Sequence, residues 1–296
     1  NVMISPALMH RLAEEGKSLV LLDNSGRFKA RLEGPVSGNI LLRQAQHRAA
    51  GDPAFTLATA RAMIAGKVRN SRSVLLRGAR EAADPGEAET LTRAAEDLAA
   101  ALRALPSAPD LDTLRGFEGE AARGYFAALN LIVKPQARAV FGLDGRTRRP
   151  PRDRFNALIS FLYSMLMNDC RSAAEAVGLD PQLGYLHAVR PGRAALALDL
   201  QEEFRSVLVD RFALTLINRG QLNAKDFDER EGGAVMLNDP GRRLVVAAWQ
   251  ERKQEEILHP LLDSKVPLAL LPLVQARLLA RTLRGEMDAY LPYLAK

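Results

Sequence analysis

The chain has 296 residues, 47% hydrophobic, 26% charged and 5% aromatic, with 21 Gly and 16 Pro, which excludes collagen-like and low-complexity chains. A net charge of +6 permits nucleic-acid binding without demanding it. The lone Cys170 excludes a disulfide scaffold and fits a reducing, cytoplasmic setting. No apolar run approaches the roughly 20 residues that span a bilayer, so no membrane association is expected.

Taken in chain order, Val2-Met3-Ile4 reads as the end of a strand. Ser5-Pro6 is an N-cap with Pro at the first helical position, and Gly16 stops that short helix. An Asn24-Ser25-Gly26 turn then separates two strand-like segments. In the second, Phe28, Ala30 and Leu32 alternate with Arg27, Lys29 and Arg31, the period of a half-buried strand. A lone hairpin with one helix is marginal in water. Strands preceding Asn1 are therefore expected, and residues 1–36 read as the remainder of a β-rich N-terminal domain.

After Gly34-Pro35 the pattern is helical almost throughout residues 37–296. Asp52-Pro53 opens one helix, and Leu91, Leu98, Leu102 and Leu105 mark the apolar stripe of another. Residues 106–109 read as a linker. Residues 155–170 are apolar nearly all round, as in a central buried helix. A small hairpin is expected over residues 227–237, turning at Gly232-Gly233. Asp239-Pro240 starts a further helix, and Pro267 precedes the last long one. The expected fold class is mainly α (α+β overall): a truncated β-rich N-terminal domain followed by a large all-α C-terminal domain.

Charge is segregated. Residues 61–80 carry Arg61, Lys67, Arg69, Arg72, Arg77 and Arg80 without an acid, and a second basic stretch, Arg146, Arg148, Arg149, Arg152 and Arg154, lies in a Pro-containing loop. Either stretch reads as a solvated face or as a phosphate track.

The segment Phe117-Glu118-Gly119-Glu120-Ala121-Ala122-Arg123-Gly124-Tyr125-Phe126 bears more directly on chemistry. On a helix, Ala122, Tyr125 and Leu129 share the face of Glu118, which turns that carboxylate inward, where it needs either an Arg partner or a metal. His187 sits in a Gly- and Pro-shaped loop, Gly178 to His187, beside Tyr185. Asp199 and Glu202 follow at i,i+3, on a flank shared with Glu203, Ser206 and Asp210 that also reads as an ordinary solvated face. Together, Glu118, His187, Asp199 and Glu202 form an oxygen-rich, single-imidazole set suited to Mg²⁺ or Mn²⁺ and to phosphodiester chemistry.

These residues, in this order, resemble the CRISPR-associated integrase of spacer acquisition, type I-C-like in style. The match rests on Phe117-Glu118-Gly119 with Tyr125-Phe126, Asn156-Ala157-Leu158-Ile159-Ser160 with Tyr163, Gly178 to His187, and Asp199 to Arg205. The resemblance implies a homodimer that joins a small CRISPR-associated partner protein, captures double-stranded DNA and inserts it into a CRISPR array by transesterification, as a metal-dependent endonuclease and integrase. It implies that Glu118, His187 and Glu202 hold the metal, with Asp199 supporting the site. It places Arg190 and Arg205 near DNA phosphates and Tyr163 and Tyr185 as wall residues; Arg69 and Arg72, from the first basic stretch, join them as DNA-binding candidates. The competing expectation is a non-catalytic helical DNA-binding or scaffold protein.

Overall fold

The computed structural model describes residues 3–15, 17, 19–23, 28–32 and 39–295. Val2, the stop at Gly16, the turn at Asn24-Ser25-Gly26 and Gly34-Pro35 lie outside the described residues. The Ser5 side chain accepts from Leu8 N and starts α1 (Pro6–Glu14). Strands β1 (Leu19–Leu22) and β2 (Phe28–Leu32) pair antiparallel, with Leu19 opposite Leu32. Helix α2 (Ile40–Ala50) follows, capped by Asn39.

The 29-residue α3 (Pro53–Glu81) begins where Asp52 accepts from Ala54 N and Pro53 fills the first helical position. It packs antiparallel against α4 (Pro85–Ala104), whose Leu91 and Leu98 are buried as the stripe predicts. The expected linker after it closes into a tight turn. Arg61 holds that turn, Nε donating to Leu105 O at 3.1 Å and Nη2 to Ala108 O at 2.9 Å. One member of the first basic stretch is thereby committed to structure.

Asp110 caps α5 (Leu111–Leu129), and the short α6 (Pro135–Phe141) leads into the basic loop. Helix α7 (Arg154–Val177) is the central one. Phe155, Leu158, Ile159 and Leu162 are wholly buried, and each contributes about 1.5–3 kcal/mol on leaving water. Asp153 caps its start, and Gly178 at φ 93° ends it in the left-handed region open to glycine. Then come α8 (Ala195–Glu202), a π turn over Arg205–Asp210, and α9 (Arg211–Asn218).

The expected hairpin forms from β3 (Phe227–Arg230) and β4 (Ala234–Leu237). It leads into α10 (Asp239–Gln254). A second hairpin, β5 (Glu256–His259) with β6 (Ser264–Pro267), was not expected from the sequence. Its four-residue strands are too short to show a period, and its turn is held by a side chain. His259 Nδ1 accepts from Leu261 N and Leu262 N, both at 3.3 Å. Helix α11 (Leu271–Leu283) closes the core against α7, and an irregular segment runs on to residue 295. The C-terminal region is thus helical with two small hairpins rather than strictly all-α. Among the described residues, no helix is long and apolar enough to cross a membrane.

Candidate active site

Helices α3, α5 and α8 and the loop after α7 converge on a cavity of about 360 Å³. Its wall carries five cationic side chains, Lys67, Arg123, Arg146, Arg148 and Arg205, against the three carboxylates of Glu118, Glu202 and Asp210. A cationic wall around a few acids suits an anionic ligand such as a phosphodiester.

Glu118 enters from α5 with its side chain 25% exposed, at the cavity edge rather than in the core. The partner that sequence reasoning sought in an Arg is Lys67, which contacts the Glu118 carboxylate from α3. The same ammonium lies 2.7 Å from Glu202 Oε2, so one lysine bridges two carboxylates from separate helices. Read as one more cation of a basic stretch, Lys67 carried no signal of this. Lys67 and Glu118 are 51 positions apart in the chain and are brought together only by the tertiary packing of α3 against α5.

Glu202 is buried, and Arg205 Nη2 stands 3.1 Å from its Oε1. Burial alone would raise its pKa, but Arg205, Lys67 and His187 outweigh that effect and hold it at about 2. The Lys67 ammonium is thus the close partner of Glu202 Oε2, and Arg205 that of Oε1.

Asp199 explains how His187 is presented. Its buried carboxylate accepts from the backbone N–H of Tyr185 at 2.6 Å, Leu186 at 3.0 Å and His187 at 3.0 Å. The same carboxylate lies 2.6 Å from His187 Nδ1. A carboxylate already facing three backbone donors accepts a fourth hydrogen bond from Nδ1–H, which leaves Nε2 facing the cavity, 3.8 Å from Glu202 Oε1. Gly184 is required here, because a Cβ would stand 2.5 Å from Asp199 Oδ2. The loop is braced from outside as well. The wholly buried Gln46 donates to Asp180 O and Leu183 O, each at 2.9 Å, and Arg115 Nε donates to Leu186 O at 3.0 Å.

The solvated-flank reading of α8 is corrected: Glu202, Glu203, Ser206 and Asp210 are all buried. Asp210 accepts from Tyr125 OH at 2.9 Å and Tyr163 OH at 2.6 Å. Tyr163 in turn lies under the guanidinium groups of Arg205, 5.0 Å from the ring centroid, and Arg146, 5.5 Å from it. Burial outweighs the two tyrosine hydrogen bonds and raises the Asp210 pKa to about 6.

A folded-state pKa above the unfolded value means that the cost of ionising Asp210 grows as pH rises from about 4 to about 6 and is fully present above that. Asp210→Asn removes the cost. Its stability relative to wild type, followed by urea unfolding, is expected to improve on the order of 2 kcal/mol between pH 4 and pH 7. A stability difference flat across that interval would refute this.

Other predicted residues are placed differently. Tyr163 lines the cavity, but Tyr185 packs edge-on against Phe55 and is not part of the lining, which corrects its reading as a wall residue. Arg190 and Arg69 are exposed, whereas Arg72 Nε donates to Ala95 O on α4 at 3.2 Å. In the second basic stretch, Arg146 is tied to Asn156 Oδ1 at 2.7 Å and Arg154 to Glu229 at 2.7 Å, leaving Arg148 at the cavity rim.

Among the described residues, no three His, Cys, Asp or Glu side chains form a ready-made cation cage. The Lys67 ammonium takes the space between two of the three candidates. It acts as a stand-in cation. The carboxylates it joins, with His187 Nε2 3.8 Å from Glu202 Oε1, make a donor set, two carboxylates and one imidazole, that a hard divalent ion fits.

Carboxylates and an oriented imidazole on a basic cavity in a helical scaffold define a class: enzymes that act on phosphodiesters. Residues 1–251 match the family described as CRISPR associated protein Cas1, and the chain belongs to that family. It is 55% identical over 294 residues to a CRISPR-associated endonuclease Cas1 of Moorella thermoacetica, spanning 99% of this chain and 85% of that protein. It is 52% identical to one of Rhodospirillum rubrum over the same shares. In fold it resembles a casposase bound to its integration product, with a TM-score of 0.82 and 24% identity over 97% of this chain and 77% of that one. It also resembles a chain of a partial Cas6-RT-Cas1–Cas2 complex, with a TM-score of 0.78 and 26% identity over 99% of this chain and 85% of that one.

Proposed function

We propose that the protein is a metal-dependent DNA endonuclease and integrase of spacer acquisition, working in the cytoplasm as a homodimer with a Cas2-type partner. The observation that carries this reading is the convergence of Glu118, Glu202 and the Asp199-oriented His187 on one basic cavity. Family membership and the curated endonuclease relatives support it. So do the casposase and Cas1–Cas2 structures that the chain resembles.

Glu118, Glu202 and His187 Nε2 would hold the metal, Mg²⁺ or Mn²⁺, which when bound activates an attacking hydroxyl or water and offsets charge on the phosphate. Asp199 holds the imidazole and its loop in place. Lys67 offsets one of the two carboxylate charges, so a divalent cation and this ammonium compete for the same oxygens. Arg205 and Arg148 supply positive charge where phosphate oxygens sit, and Arg69 and Arg190 extend the contact outside the cavity. A DNA 3′-hydroxyl then exchanges one phosphodiester for another, so no nucleotide cofactor is consumed.

The test is an integration assay with short duplex DNA, the partner protein and a repeat-bearing plasmid. Insertion is expected with Mg²⁺ or Mn²⁺ and none with chelator. Duplex affinity should fall with salt at a slope near −0.9 per neutralised phosphate, and Arg190→Ala should make the slope shallower by about one. Tight DNA binding with no strand transfer under any metal would favour a DNA-binding scaffold instead.

A further inference from the structure

The segment after α11 forms no helix or strand, yet its polar groups are tied to wholly buried side chains behind the active site. Asn70 donates to Tyr293 O at 2.9 Å and to Glu203 O at 2.7 Å, and its Oδ1 accepts from Ala295 N at 2.9 Å. Gln275 Nε2 donates to Glu203 Oε2 and lies 2.9 Å from Tyr290 OH. Glu203 itself accepts from Tyr293 N at 2.6 Å and from the Tyr290 hydroxyl.

The positions of these anchors carry the argument. Glu203 directly follows Glu202, at the break where α8 gives way to the π turn. Asn70 lies one helical turn after Lys67 on α3. Between them, Pro292 lies so close to α3 that a Cβ at Gly66 would stand 2.7 Å from its Cβ. Tyr293 completes the contact with its ring centroid 5.5 Å from that of Phe204. One segment therefore holds the side chains of Asn70 and Glu203, close in sequence to Lys67 and Glu202 respectively, and none of its residues lines the cavity.

We propose that residues 287–295 form a positioning strap that fixes Glu202 relative to Lys67 through Glu203, Asn70 and Gln275. The proposal rests on the site assignment above and adds to it a set of positioning residues that touch neither DNA nor the reacting atoms. A helix end that changes its winding lacks the continuous hydrogen-bond ladder that sets side-chain direction. The strap supplies the missing restraint, and a catalytic group displaced by about 1 Å loses roughly 10²-fold in rate.

Gly66→Ala in the full-length chain tests this. The new methyl pushes Pro292 away, and the gain in α3 helix propensity offsets part of that overpacking cost, so α4 serves as the control for general destabilisation. Tyr290→Phe removes only the hydroxyl that meets Glu203. Both variants are expected to speed amide hydrogen exchange in residues 196–206 at least about tenfold while α4 exchanges as in wild type. In DNA nicking they should lower kcat about tenfold and leave KM and duplex affinity within about twofold. Unchanged exchange over residues 196–206, or equal acceleration in α4, would overturn the strap. A wild-type protein that binds DNA but never nicks it would overturn the catalytic reading instead, and the exchange measurement still decides the strap.

Discussion

Glu118→Gln and Glu202→Gln are each expected to lower DNA cleavage and strand transfer about 10³-fold, some 4 kcal/mol of barrier, while duplex affinity changes only a few-fold. Both substitutions preserve shape and remove one of the two negative charges that gather cations in the cavity. The wall retains Arg123, Arg146, Arg148 and Arg205, so DNA is still attracted.

The two variants should differ in stability. Glu118 is partly solvated and its loss is mild. Glu202 is buried against Arg205 and Lys67, so Glu202→Gln leaves Arg205 without that carboxylate and Lys67 with Glu118 alone, and costs on the order of 3 kcal/mol at neutral pH. The sign with pH follows from a folded-state pKa depressed to about 2 from 4.5. The stabilisation is fully present above about pH 4.5 and is lost as pH falls toward 2, so the two unfolding curves should converge in acid. Wild-type strand transfer by either variant would end the assignment of these carboxylates.

Asp199→Ala should be the most damaging single change to the site as a structure. It removes the wholly buried acceptor of three backbone N–H groups and of the partly exposed His187 ring. Leaving those donors unsatisfied is expected to cost about 3 kcal/mol in urea unfolding. Activity should fall about 10²-fold beyond the loss of folded protein, because the imidazole is no longer held with Nε2 toward Glu202. Asp199→Asn keeps an acceptor oxygen but sets an amide N–H₂ against donors, and should lie between. Activity that tracks only the folded fraction would make Asp199 a structural residue and nothing more.

Much of this was legible in the amino-acid order. Pro at N1 after Asp or Ser, glycine after the last turn and leucine stripes are local rules, and α1, α3, α4, α7 and the β3–β4 hairpin obey them. The β5–β6 hairpin escaped because its turn has no glycine pair: the His259 imidazole holds it, and Asp263 rather than a glycine takes the left-handed position at φ 46°. Glu118, His187, Asp199 and Glu202 stood out because a carboxylate on an apolar helix face and an imidazole in a glycine-shaped loop are locally unusual. What each one touches was a different matter.

The sequence by itself determined the helical class, most helix starts and the residue types of the site, because caps, periodicity and local chemistry act within a few residues. Only the tertiary structure decided that Lys67 bridges Glu118 and Glu202, that the flank of α8 is buried, and that Tyr185 is core and Tyr163 cavity wall. It likewise decided that residues 287–295 return to grip the helices behind the site. Each of these contacts joins segments far apart along the chain, and their existence depends on how long helices pack rather than on any local pattern. Charge followed the same division: +6 and its segregation are written in the residues, but which arginines are occupied by carbonyls and which face a cavity is a property of the fold.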